Sequence, residues 1–313
     1  MNPLCFRSGR SVIATSRVIE VLEDMGLIDP EGSRAWPLPP ETDRELARVD
    51  WPRVGAPHTG SRDGAVPARV MKELEAMAGS GDDGRLEEVL DRLAWYAPIH
   101  FSGERWGVYI EEHAVITLAG RIGARLPAGR ITDQATAQDA IRSALYTLYF
   151  HEAFHHYVES FAIRVELVEK TSRYVPYHHR VYSRPTGDDE PVEEALACAE
   201  MLRRQKKESG LKAIHRDIRR ATRGLLEDWI PTLPGGYRKG LDLEQEARFK
   251  EAQNRLSSQI QAGTSVSSGD EARWRLIRRE LYRGICDCRR NTYLVGTWGS
   301  PLILRNLCHP VTG

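Results

Sequence analysis

The chain has 313 residues, with 44 Lys and Arg against 44 Asp and Glu, and this balance excludes a histone-like or polybasic binder that works by bulk charge. With 41% apolar and 28% charged residues, the composition is that of a folded globular protein, neither fibrous nor disordered. Five cysteines, an odd number, do not make a disulfide framework and fit a reducing compartment. The first 25 residues lack the apolar run and cleavage pattern of a secretory signal, and no stretch approaches the roughly 20 apolar residues of a membrane span. The expectation is a soluble, cytoplasmic protein with no membrane partner.

Residues 11–25 have helical spacing (Ile13, Val18, Val21, Leu22, Met25), closed by Gly26. Between Pro30 and Pro67 stand seven prolines, which resist regular structure and read as an arm or linker. Helical patterns return at 68–77 and 85–96. The β-branched and aromatic runs 99–102 and 106–111 (WGVYIE) then predict a small hairpin about Gly103 and Glu104. A helix follows at 113–126, and Thr132-Asp133 or Thr136 can cap a long one running to about Lys170. Residues 171–191 read as an aromatic, histidine-bearing loop. Further helices are expected at 191–207, 211–229, 244–261 and 271–283, and TYLVGTW with PLILR can pair as a terminal hairpin. The expected fold is α+β and mainly helical. It divides into an N-terminal helix and Pro-rich arm (1–67), a central core (68–207) and a C-terminal helical region (208–313).

The chemistry lies in FHEAFHHYVES, where His151, Glu152 and His155 form H-E-x-x-H on a predicted helix. Residues four apart share a helix face, so both imidazoles can reach one zinc ion at about 2.0–2.1 Å. Glu152, one step around, is placed to take a proton from an attacking water. His156 points about 100° away from His155 and reads as packing or support. A catalytic zinc needs a third protein ligand. The residues after His155 lack the glycine and histidine of the extended H-E-x-x-H-x-x-G-x-x-H motif, which excludes that arrangement. DDEPVEEALACAEML supplies a glutamate on a later helix instead. Glu194 shares an apolar face with Cys198, Met201 and Leu202, where a carboxylate needs a positive partner. Glu193 shares a more polar face with Ala197, Glu200 and Arg204 and suits helix capping. This favours Glu194 as the ligand and leaves Glu193 as the alternative.

H-E-x-x-H with a glutamate on a following helix resembles the gluzincin zinc peptidases. Within them EEALACAEML is similar to the E-A-N-x-F-A stretch of the minimal ImmA/IrrE-type peptidases, matching at Glu194, Ala195 and Ala199 and departing at Leu196 and Cys198. The resemblance covers about residues 106–202. It implies a zincin-like core and a zinc-dependent peptidase that acts on a peptide or protein substrate by metal-activated water. It also implies a small sheet whose edge strand holds the peptide, for which WGVYIE is the candidate, and a Tyr or His donor for the oxyanion. RYVPYHHRVY offers Tyr174, Tyr177, His178, His179 and Tyr182, of which Tyr177 and His178 are put forward.

Three weaker features remain. Nine basic residues lie between Arg203 and Arg223 against Glu208 and Asp217. They read as a solvated face that can meet an acidic partner or nucleic acid. Cys286, Cys288, Cys308 and His309 do not have a common zinc spacing, and Cys5 is a possible thiolate toward the active-site zinc. The alternative to a peptidase is a catalytically silent zincin-like protein with a regulatory or nucleic-acid-binding role.

Overall fold

The computed structural model describes residues 93–129, 131, 133–185, 190–207, 211, 213–264, 291–296 and 301–304, with single positions at Val21, Leu22, Met25, Leu27, Met71 and Leu74. The Pro-rich arm, the expected helix at 271–283, and Cys5, Cys286, Cys288, Cys308 and His309 lie outside them. So does most of the expected helices at 11–25 and 68–77.

Four described strands form one mixed sheet in the order β1 (Ala94–Ala97), β2 (Gly107–Glu111), β3 (Thr292–Val295) and β4 (Leu302–Ile303). β1 and β2 run antiparallel, β2 and β3 parallel, and β3 and β4 antiparallel as the terminal pattern predicts. Trp95, Tyr109 and Tyr293 stand side by side across three strands and stack, with ring centroids 5.3 and 4.8 Å apart, which fixes the register through aromatic pairs. At Gly107, with φ 152°, a Cβ would stand 2.2 Å from the carbonyl oxygen of Asn291, so only glycine lets β3 approach.

Two strand expectations need correction. Residues 99–102 form the short helix α1 (Ile99–Ser102) instead of a hairpin arm, and β2 pairs with residues 94–97, expected to end a helix. The amides of Ile99 and His100 are taken by the Glu159 carboxylate, which withdraws them from any ladder. As a result β2 lies inside the sheet and β1 is its outermost described strand on that side.

Helix α2 (Glu112–Ala124) follows β2 directly, and α3 (Gln134–Glu169) spans 36 residues. Asp133 caps α3 by accepting from the Thr136 amide at 2.9 Å, and Lys170 ends it in the left-handed conformation, so the capping expectation holds. The aromatic loop after it is locally ordered as α4 (Tyr174–Tyr177) and a π-helical turn, His178–Tyr182. α5 (Val192–Lys207), α6 (Arg216–Trp229) and α7 (Glu246–Ala262) follow. The helix expected over 211–229 is interrupted before Arg216, where the His215 amide donates to Asp139 of α3 at 2.8 Å. Among the described residues no helix is long and apolar enough to cross a membrane.

Two apolar clusters fill the interior. The larger runs from Val21 to Leu304 and takes the first half of α3, from Ala137 to Ala153, with Cys198, Met201 and Leu202 of α5. It draws on residues from all three expected segments. The smaller takes the second half of α3, from Phe154 to Val165, with Val192, Leu196, Ala197 and Ala199 of α5 and the inner face of α7. The seam between the clusters falls at residues 151–155.

Candidate metal centre

α3 crosses the start of α5 at that seam. Positions 151 and 155 share one face of α3, and Glu193 and Glu194 stand in the first turn of α5, where a helix amino end favours carboxylates. His151 Nε2 lies 3.2 Å and His155 Nε2 3.6 Å from Glu194 Oε2. Ligands held about 2.0–2.1 Å from a tetrahedral ion stand about 3.4 Å from one another, so both spacings suit a shared ion. One donor atom from each of His151, His155 and Glu194 lies within 4.8 Å of the others, and all three side chains are buried. Two imidazoles and a carboxylate are a donor set that zinc accepts.

The electrostatics favour a cation. Burial opposes the charged form of His155, but Glu194, Glu193 and Glu152 outweigh it and push its pKa up to about 9. His151 is raised for the same reason, with Cys198 and Glu194 outweighing burial. Glu194 is held at about 2 because His155 and His151 overcome its own burial. A field that favours protons on two buried imidazoles also favours a divalent ion among them.

Glu193 differs from expectation. It is buried, with 2% of its surface exposed, because its side chain turns between His155 of α3 and Tyr177 of α4, while Glu200 and Arg204 further along that face stay partly exposed. Its carboxylate accepts from His155 Nδ1 at 2.7 Å and from the Tyr177 hydroxyl at 2.7 Å. Tyr177 is therefore turned away from the expected oxyanion role. Its ring is fully buried behind Glu193, and burial first, then the Glu193 charge, holds its hydroxyl protonated. Tyr182 donates to Glu194 Oε1. The π-helical turn sets Tyr177 and Tyr182 five residues apart on one side, so each adjacent glutamate has its own phenol.

A cavity of about 160 Å³ opens beside the cluster, lined by Glu152, His155, His178, Tyr182, Trp95 and Tyr96 among others. His178 stacks on Tyr182 at 5.1 Å, and burial together with the neighbouring His179 lowers its pKa to about 4, which leaves a neutral ring with an N–H to donate. His156, as expected, supports: its ring stacks on Trp106 and its Nδ1 lies 2.9 Å from the Tyr96 hydroxyl. On the far side of His151, the Tyr237 ring lies parallel at 5.9 Å and Cys198 Sγ is 3.8 Å from Nδ1. The 3-10 segment Gly235–Gly240 carries Tyr237 and approaches so closely that a Cβ on Gly240 would stand 2.4 Å from that of Cys198. The glycine pair before Tyr237 was the available signal for this approach, and no metal motif points to it.

The basic stretch is largely paired within the chain. Arg203 meets Glu246, Arg204 meets Glu200, Lys206 and Arg223 meet Glu244, and Arg220 meets Asp217. No protein-family model, curated protein or solved structure matches the chain.

Proposed function

We propose that the protein is a zinc-dependent peptidase with a zincin-like core, in which His151, His155 and Glu194 hold the metal. The convergence of their donor atoms at a buried seam, with a cavity on the Glu152 side, carries this reading. A zinc ion bound there supplies Lewis acidity toward a water and a substrate carbonyl. Glu152, lining the cavity one residue from His151, takes the proton of the attacking water and returns it to the leaving amine. His178 donates to the carbonyl oxygen as negative charge grows on it. The peptide lies extended along β1, whose Trp95 and Tyr96 face the same cavity, so main-chain pairing to the strand adds to side-chain contacts.

The test combines metal analysis of the purified protein with digestion of a diverse peptide library. Wild type is expected to carry one zinc and to cleave a narrow subset of peptides. Glu152→Gln should keep the zinc and lose about 10²–10⁴ of the rate. Equal cleavage by Glu152→Gln and wild type rules out the mechanism, and zinc content unchanged in His155→Ala rules out the site.

A further inference from the structure

We infer that Glu193 is the positioning residue for His155, with Tyr177 holding Glu193 in place. The inference rests on the metal reading above and concerns residues that do not themselves face the ion.

The argument starts from hydrogen-bond chemistry. An ionised carboxylate only accepts, so the 2.7 Å contact between His155 Nδ1 and Glu193 Oε1 puts the ring proton on Nδ1. The lone pair of the neutral ring then belongs to Nε2, the atom turned toward Glu194 Oε2. The Tyr177 hydroxyl, donating 2.7 Å to the other oxygen, fixes the carboxylate's rotation. Both side chains are buried, with Glu193 at the wall of the cavity and Tyr177 behind it. A carboxylate behind a metal-binding imidazole sets its tautomer and raises its basicity, and loss of such a partner typically weakens metal binding 10–100-fold.

His151 shows what is particular about this arrangement. Its Nδ1 faces the Cys198 thiol at 3.8 Å and its ring lies against Tyr237. His151 therefore has a sulfur atom and an aromatic ring behind it, where His155 has a carboxylate. Adjacent glutamates thus divide the work: Glu194 meets the Nε2 atoms, and Glu193, about 100° around the helix, meets the back of one ring.

The experiment titrates zinc against a chromophoric chelator in wild type, Glu193→Gln, Tyr177→Phe, the double variant and His155→Ala, and records imidazole N–H resonances by ¹⁵N-edited NMR. Glu193→Gln is expected to bind zinc about 10–100-fold more weakly and to lose the downfield Nδ1–H resonance of His155. Tyr177→Phe should weaken binding less, and the double variant no more than Glu193→Gln alone, since Tyr177 acts through Glu193. A merely structural role would lower the thermal midpoint yet leave the folded protein's zinc affinity and that resonance unchanged, and this result overturns the proposal. Should Glu193→Gln fail to fold, Tyr177→Phe decides: weakening of threefold or more supports the proposal and unchanged affinity overturns it. Equal zinc binding by wild type and His155→Ala instead sinks the metal reading, a distinguishable failure.

Discussion

Helix α3 takes part in two histidine–carboxylate clusters, one buried and one half-buried, and they are completed in different ways. In the downstream one, Glu159 accepts from the Tyr96 hydroxyl, from the Ile99 and His100 amides, and from His100 Nδ1 at 2.5 Å. His100 Nε2 then donates to Glu166, which also takes the amides of Arg173 and Tyr174. One imidazole bridges two carboxylates, and protein donors surround both. In the upstream cluster two imidazoles and Glu194 turn donor atoms toward a common point. The chemical ingredients are nearly the same. What separates a structural clamp from a candidate metal site is whether the donor atoms face protein groups or one another.

Zinc stoichiometry gives the largest expected separation. His151→Ala or His155→Ala should abolish it, whereas His100→Ala should leave it at one per chain, read by elemental analysis after dialysis. A loss of zinc in His100→Ala would merge the two clusters into one unit. Stability should run the other way. Glu159→Gln removes one of the two carboxylates that His100 bridges, and with it the charged acceptor of Tyr96 and two amides, and should cost about 1–3 kcal/mol in denaturant unfolding, with zinc content intact. Gly240→Ala forces a methyl against Cys198 and should cost about 1–3 kcal/mol by overpacking, detected as a lower thermal midpoint.

The smallest effect is in the pH dependence. Glu159 and Glu166 oppose and outweigh the burial of His100, raising its pKa above the ordinary 6.5. Its stabilisation is therefore complete below 6.5 and fades as pH rises through the folded value. Glu159 is lowered from 4.5, as His100, Tyr96 and two amides outweigh burial, so its share is complete above 4.5 and fades as pH falls through the folded value. The pair is fully effective between these limits. The midpoint difference between wild type and His100→Gln, measured by calorimetry, should shrink from pH 6.5 upward. A difference that grows with pH would contradict the assignment.

Much of the site was readable because it obeys local rules. His151 and His155 share a face through helical spacing alone, Asp133 and Lys170 stand at the limits of α3 as the capping pattern predicts, and the apolar neighbours of Glu194 mark it as inward. The misreadings come from tertiary contacts. The polar look of the Glu193 face could not announce that His155 and Tyr177 enclose its carboxylate. Residues 99–102 have strand-forming side chains, yet Glu159, about 60 positions away, takes their amides. Tyr237 and Cys198 carry no metal signature, because they act by shape against one ring.

The pairing of β2 with β3 also bears on how the chain is made. The neighbouring Trp106 carbonyl and Asn291 side chain are hydrogen-bonded across a separation of 185 residues. At about 5–20 residues per second, translation takes roughly 10–40 s to cover that distance. Throughout that interval a nascent chain holds β1 and β2 with the β3-facing edge of β2 open, a surface that other chains can pair with. The sheet beside the candidate metal seam is completed only once residues 292–295 have been made, so premature termination before Thr292 removes the strand that pairs with β2.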